Sequence, residues 1–451
     1  MKSVVLGYTL ATKGDSLMKV DALINEIKSG AYDSTLIDLY VDDNAILYQK
    51  ERYKNSLEKY ISIYDNDDVE IFSAPGRTEV CGNHTDHQQG EVLAGAINKD
   101  AIAVVKKSDE QVVRVVSEGY DMIVINLDEL EYQDAERETT TSLIKGVLFK
   151  TKELGYAIGG FQAYITSDVL IGAGLSSSAA FETLIGTILS GLYNQIAIDP
   201  IVIAQIGQFA ENKYFGKPCG LMDQMACSVG ALVHIDFSNK DIPMVQRVAF
   251  DLHKQGYSLC ITDTKGSHAD LTADYAAIPE EMKKVANFFG KEILLGITLE
   301  EILSHFEQLR TLAGDRAVLR SIHFIYENRR VQNAVKALED ENVEKFLDEI
   351  KASGDSSYKY LQNVYSNSDV TNQSVSLALA LSEAFLAGHG VCRVHGGGFA
   401  GTIQAFVENE FVEEYRSKMN EVFGANSCNV LQIRKYGGIK VIPSGIKNHK
   451  L

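Results

Sequence analysis

Three consecutive serines, Ser176 to Ser178, follow a loop of small residues, Ile171-Gly-Ala-Gly-Leu175, and run into Ala179, Ala180 and a strongly apolar helical pattern. A helix N-terminus placed there offers unpaired N–H groups and a favourable dipole to an anion. The hydroxyls can cap the helix, bond phosphate oxygens or reach a metal. The competing reading is a plain Ser-capped helix after a tight turn. No G-x-x-x-x-G-K-[ST] pattern is present, so this is not a Walker A loop.

Three further segments carry chemistry. Ala74-Pro-Gly-Arg-Thr-Glu-Val-Cys-Gly-Asn-His-Thr-Asp-His-Gln-Gln-Gly90 sets Arg77, Glu79, His84, Asp86 and His87 in a loop rich in turn residues. Asp and His there suit sugar hydroxyls, each of which donates and accepts a hydrogen bond. A solvated polar turn is the alternative, and a metal site on His84, Asp86 and His87 matches no standard ligand spacing. In Cys219-Gly-Leu-Met-Asp-Gln224, Asp223 sits among apolar neighbours, where a carboxylate works as a base or orients a hydroxyl; capping of the next helix is the rival explanation. His395-Gly-Gly-Gly-Phe-Ala-Gly401 fits G-x-G-x-x-G, but Thr402 to Val407 alternates like a strand, whereas a dinucleotide-binding fingerprint opens a helix. This glycine loop reads as backbone that must pack closely against a neighbouring loop or a ligand.

The elements that position these segments form an α+β pattern. Residues 13 to 63 are charged and helix-prone, with Ile46, Tyr53, Leu57 and Ile61 at helical spacing, and end in an acidic turn at Asp65 to Asp68. Strand-like runs follow at Val112 to Val116, Met122 to Leu127 and Phe161 to Ile165. The helix near Ser176 carries Ala180, Leu184, Ile188, Leu192 and Ile196 at four-residue spacing, which predicts a buried core helix. Beyond Asp236 come strands at Val245 to Phe250 and Tyr257 to Thr262, then long helical stretches to about residue 385. The expected division is an N-terminal helical extension over 1–68, a first domain over 69–240 and a second over 241–451.

The 451 residues carry 43 basic against 61 acidic side chains, a formal charge of -18, with no local cluster of Lys and Arg. Nucleic acid and anionic membranes are poor partners for such a surface. No run approaches the roughly 18 apolar residues of a membrane span, and the N-terminus has no convincing signal peptide. Six scattered cysteines without a C-x-x-C pair fit reduced thiols. The expectation is a cytoplasmic protein, monomeric or weakly self-associating.

The order Pro-Gly-Arg…Gly-Asn-His-Thr-Asp-His, Gly-Leu-Ser-Ser-Ser-Ala-Ala, Cys-Gly-Leu-Met-Asp-Gln, Gly-Gly-Gly-Phe-Ala-Gly resembles the galactokinases of the GHMP kinase superfamily, from about Phe72 to Val407. The resemblance implies a two-domain GHMP kinase fold, with an N-terminal ribosomal-protein-S5-like domain, a ferredoxin-like C-terminal domain and the active site between them. It implies ATP and Mg²⁺ as cofactors and phosphorylation of galactose at its anomeric hydroxyl. By the same resemblance, Gly172, Gly174, Leu175, Ser176, Ser177, Ser178 and Ala179 hold the ATP phosphates. Ser178 and Glu211 hold Mg²⁺, Asp223 is the catalytic base, and Arg77 steadies it and the phosphoryl group. Asn83, His84, Asp86, Gly220 and Tyr275 bind the sugar.

Some positions depart from the family pattern. Asn83 stands where galactokinases usually have Glu, Glu79 where they have Asn, and His87 where they have Tyr; Leu170 replaces a Pro, and Ile278-Pro-Glu-Glu-Met replaces an Arg-rich run. A neutral Asn83 tolerates a C6 carboxylate that Glu would repel, which makes galacturonate a rival substrate. A non-catalytic sugar sensor is the rival of a different class. The intact serine loop, Arg77 and Asp223 favour catalysis, and His84 to His87 with Met222 to Gln224 disfavour a mevalonate or homoserine kinase.

Overall fold

The computed structural model describes residues 17–169, 174–239, 242–266 and 271–442. Gly172 of the serine loop therefore lies outside the described residues, as do Leu170 and the first 16 residues.

Among the described residues, one large sheet is built from β1 (Met18–Lys19), β2 (Asp68–Cys81), β3 (Glu91–Lys107), β4 (Val112–Ser117), β5 (Ile123–Asn126), β6 (Phe161–Ser167), β7 (Leu232–Asp236) and β8 (Met244–Val248). A second sheet has β9 (Tyr257–Asp263), β10 (Gly390–His395), β11 (Thr402–Glu408) and β12 (Cys428–Leu431), in the order β10-β11-β9-β12. The last strand, β13 (Ile439–Ile442), returns to pair with β2, so both ends of the described chain meet on the first sheet. β2 and β3 form the spine of that sheet, and the turn between them carries residues 82–90.

Side chains alternate across the spine as a pleated strand requires. Ile71, Ile102 and Val104 face the helical extension, α1 (Val20–Ser29), α2 (Asp33–Tyr40) and α3 (Ile46–Ile63), where they meet Leu23, Leu39, Tyr53 and Leu57. Phe72, Ala103 and Val105 face the other way, onto α4 (Thr140–Glu153), α5 (Ser177–Tyr193) and α6 (Pro200–Phe209). The extension thus covers one face of the sheet. α5 is buried along Leu184, Ile185, Ile188 and Leu189, as its spacing predicts, but it ends at Tyr193, so Ile196 lies beyond it and is exposed; burial of each of those four residues stabilises the fold by roughly 1.5–3 kcal/mol.

The short helix α7 (Met222–Val229) follows. Around the second sheet lie α8 (Thr272–Phe288), α9 (Leu299–Ser304), α10 (Phe306–Ala313), α11 (Asp315–Glu339), α12 (Val343–Ser356), α13 (Ser374–Leu386) and α14 (Val412–Phe423). Leu259 and Ile261 join one core with α11 and α12, while Cys260 between them joins the core with α13 and α14. No described helix is long and apolar enough to cross a membrane.

Candidate active site

Four loops converge where the two sheets meet: the β2–β3 turn, the start of α5, the start of α7 and the β10–β11 turn. Arg77 is buried within β2, because Ala74 to Cys81 of the segment expected as a loop is strand paired with β3, and its guanidinium grips Asp223 with Nε on Oδ1 and Nη2 on Oδ2, both at 2.8 Å. Its Nη1 donates to the carbonyl of Gly174, and its backbone N–H reaches Leu175 O at 3.1 Å. Gly76 permits this approach, because a Cβ there would lie 2.7 Å from Leu175 O. Asp223 occupies the first turn of α7 but caps nothing; Leu221 is the N-cap and makes no side-chain bond. Its carboxylate accepts instead from Arg77 and from Ser176 Oγ. Burial would raise the pKa of Asp223, but the charge and paired hydrogen bonds of Arg77 outweigh it and hold the carboxyl below its ordinary range.

Ser176 precedes α5 with φ of 58°, a left-handed conformation uncommon outside glycine. His84 and Phe399, in two of the other loops, share it with φ of 58° and 62°. Backbone strain of this kind collects at sites that the surrounding structure holds in place. Ser177, Ser178 and Ala179 then begin the helix, with their N–H groups at its positive end. Ser178 Oγ lies 3.0 Å from Glu211 Oε1. Glu211 is 3% exposed and belongs to a π-helical turn, Ala210–Phe215; Gln224 Nε2 donates to its Oε2 at 2.8 Å and Lys217 Nζ approaches Oε1 at 3.3 Å. A hydroxyl and a carboxylate side by side are hard oxygen donors suited to Mg²⁺, which takes few protein ligands and completes its shell with phosphate and water.

Across from Asp223, Gly220 faces Asp86, and a Cβ at 220 would fall 1.8 Å from Asp86 Oδ2. Burial, with the neighbouring Asp223 charge, pushes the Asp86 pKa up to about 6, so it is ionised at neutral pH and gains a proton as the pH falls through that value. His84 Nε2 donates to Gly397 O at 2.9 Å, and burial lowers its pKa, so the ring is neutral with its proton on Nε2. Tyr275 donates to Gly398 O at 2.8 Å and stands edge-on to Phe399. A Cβ on Gly397 would lie 2.7 Å from the Tyr275 ring, and one on Gly398 2.0 Å from Asn363 O. The glycine loop does pack closely against neighbouring loops, and no nucleotide fingerprint is involved.

Asn83 is fully buried, with every amide valence used inside the protein. Nδ2 donates to Glu79 Oε1 at 2.9 Å and Gly396 O at 2.7 Å, and Oδ1 accepts from Ser357 at 3.2 Å and Asn363 at 2.7 Å. Glu79 also pairs with the buried Arg393 at 3.0 Å.

Sequence reasoning missed the groups that hold the β2–β3 turn from below. Glu327 of α11, fully buried, accepts from Gly82 N at 3.1 Å, Asn83 N at 3.4 Å and Arg330 at 2.7 Å. Burial opposes its charge, but His323, Arg330, Arg393 and Ser353 bring its pKa down to about 2. His323 donates from Nε2 to Asn83 O at 2.9 Å. The readable signal is the i, i+4 pair His323 and Glu327 on a helix face that continues with Val331 and Ala334. No cluster among the described residues has three His, Cys, Asp or Glu placed to hold a metal, so His84, Asp86 and His87 do not form such a site.

Residues 142–231 match the family model for the GHMP kinases N terminal domain. A mevalonate kinase structure overlays with a TM-score of 0.56 at 14% identity, covering 81% of this chain and 99% of its own, a likeness of fold alone. The fold and the four-loop site thus define a GHMP kinase. Residues 58–107 match the galactokinase galactose-binding signature. The Lactococcus lactis galactokinase complexed with galactose overlays with a TM-score of 0.73 at 26% identity, over 85% of this chain and 98% of that one. The galactokinase of Glaesserella parasuis serovar 5 is 32% identical over 358 residues, 77% of this chain and 88% of its own. This chain belongs to the galactokinase family.

The exchange at positions 79 and 83 relocates a carboxylate without removing it, since the two side chains are in contact. Asn83→Glu alone is expected to set two buried carboxylates against each other and to cost about 3 kcal/mol of stability. The double variant Glu79→Asn/Asn83→Glu restores one amide and one acid and should recover most of that loss in urea unfolding. A single variant as stable as the parent, or a double variant no better than the single, would refute the coupling.

Proposed function

We propose that this enzyme transfers the γ-phosphoryl group of ATP to the anomeric hydroxyl of galactose, giving galactose 1-phosphate. The observation that carries the reading is the paired hydrogen bonding of Arg77 to Asp223, seated between the serine loop on one side and Asp86 with Gly220 on the other. The ionised Asp223 is ready to take the proton of the C1 hydroxyl as it attacks. The fixed guanidinium of Arg77 meets negative charge that develops on the phosphoryl oxygens. The N–H groups and hydroxyls of Ser176 to Ala179, with Gly174 and Leu175 before them, hold the phosphates in line with the acceptor. Phosphoryl transfer needs such alignment and charge neutralisation more than covalent help. Mg²⁺, held by Ser178 and Glu211, supplies charge neutralisation on the phosphates when bound.

Asp86, His84 and Gly220 bind sugar hydroxyls in this reading, Tyr275 supports the glycine loop beside them, and Asn83 ties the floor of the sugar site together. Galacturonate is not favoured. Glu79 pairs with Arg393 and lies 2.9 Å from Asn83 Nδ2, and the match of residues 58–107 to the galactose-binding signature supports galactose over its C6 acid. Six free cysteines support work in a reducing cytoplasm.

The test is ADP release from Mg-ATP with galactose, galacturonate, N-acetylgalactosamine and glucose side by side. Galactose is expected to exceed each of the others at least about ten-fold in kcat/KM, a difference of about 1.4 kcal/mol in transition-state binding. Turnover confined to another sugar would overturn the substrate, and sugar binding without ADP release would overturn the catalytic reading.

A further inference from the structure

The helical extension does more than cover the sheet. Asp168 stands just past the end of β6, at the point where the chain leaves the sheet for the serine loop. Its backbone N–H donates to Asp100 O at 2.9 Å, and its side chain is claimed by the extension: Tyr48 OH donates to Oδ1 at 2.8 Å and Arg52 Nη1 approaches Oδ2 at 3.2 Å, both from α3. Arg52 also reaches back to Asp100, with Nη1 on Oδ1 at 2.7 Å and Nη2 on the carbonyl oxygen at 2.8 Å. One guanidinium therefore joins the middle of β3 to the exit of β6.

Apolar packing does not do this job. Tyr48, Arg52, Glu118, Thr166 and Asp168 line an open groove of about 570 Å³ between α3 and β6, so polar ties hold Asp168 in place. The next residue, Val169, is 3% exposed and packs at Gly76, where a Cβ would lie 3.0 Å from Val169 Cγ1 and 2.7 Å from Leu175 O. Both described ends of the serine loop thus close over Gly76, the residue before Arg77.

We infer that Arg52 and Tyr48 are positioning residues for the nucleotide: by fixing Asp168 they set the entry of the serine loop, and the extension is a working part of the ATP site. This rests on the assignment of the ATP phosphates to that loop. Asp168→Asn, which keeps the volume and removes the charge, is expected to raise KM for ATP about ten-fold. Tyr48→Phe, at a half-exposed side chain, is expected to raise it about three-fold. Sugar KM should stay within about two-fold, and Tyr48→Phe added to Asp168→Ala should change nothing further, because the alanine has already removed the acceptor of the Tyr48 hydroxyl. Arg52→Lys keeps the charge but not the planar fork and should fall between them.

Asp38→Asn serves as the control. Asp38 bonds Lys435 and Tyr436, anchoring the extension to the C-terminal segment instead of to Asp168; it should lower Tm and leave KM for ATP unchanged. Ser177→Ala tests the underlying assignment and should raise KM for ATP. If Ser177→Ala does so while Tyr48→Phe and Asp168→Asn do not, the inference fails and the loop assignment stands. If Ser177→Ala has no effect, both fall. An equal rise with Asp38→Asn would reduce the role of α3 to general stability and overturn the inference.

Discussion

Asp223→Asn is expected to lower kcat by about 10³-fold, within the 10² to 10⁴ range of a positioned acid or base. The substitution preserves shape, so the loss is chemical. An amide has no lone pair basic enough to take the C1 proton, and its NH₂ group faces a guanidinium that offers only donors, so Arg77 loses one of its two 2.8 Å bonds. ATP binding should survive within about three-fold, because the serine loop keeps its contacts with Gly76 and with the backbone N–H of Arg77. Single-turnover measurements with saturating ATP and sugar separate the chemical step from binding. Turnover at the parental rate would remove Asp223 from the mechanism, and a large rise in KM for ATP would assign it to nucleotide binding instead.

The fold was legible wherever one period dominated. The four-residue spacing from Ala180 predicts the buried face of α5, and the alternation from Thr402 to Val407 separates a strand from a nucleotide-binding helix; both elements stand where expected. The short motifs were legible because glycine and serine at fixed places limit what a backbone can do, and the structure brings Arg77, Ser176, Ser178, Glu211, Asp223, Asp86 and Gly220 into one place. The sequence was silent on which polar residues would meet across long separations. Asn83 lies 280 residues from Asn363, and Asp100 lies 334 from Arg434. No local pattern encodes such pairings, because they depend on how two sheets and their helices dock. The extension was readable as helical but not as a cover for the sheet, since Tyr53 and Leu57 do not specify what they pack against. Asp223 was ambiguous for a related reason: a first-turn Asp is commonly a cap, and only the arrival of Arg77 from β2, 146 residues away, decides otherwise.

Asp100→Asn is expected to destabilise the protein by about 3–5 kcal/mol, the usual cost of leaving buried charge without its partner. Asp100 has no solvent exposure and receives Arg52 at 2.7 Å, Arg434 at 3.0 Å, Tyr40 at 2.9 Å and the Ser73 hydroxyl. Through these four donors one carboxylate joins the extension, β2, β3 and the C-terminal segment, and its loss strands two guanidiniums that are themselves buried. Burial alone would raise its pKa, but Arg52 and Arg434 outweigh that and hold it below the ordinary Asp value. A carboxyl with a depressed folded-state pKa stabilises the fold fully above its unfolded-state value, near 3.9, and that contribution disappears as the pH falls through the folded-state value. The difference between parent and variant in urea unfolding should therefore be the same at pH 7 and pH 5 and shrink only below about pH 4. A variant as stable as the parent at pH 7 would mean that the arginines find other acceptors. Asp168, already 3.2 Å from Arg52, is the nearest candidate, and in that case the variant would tighten the hold on the entry to the serine loop.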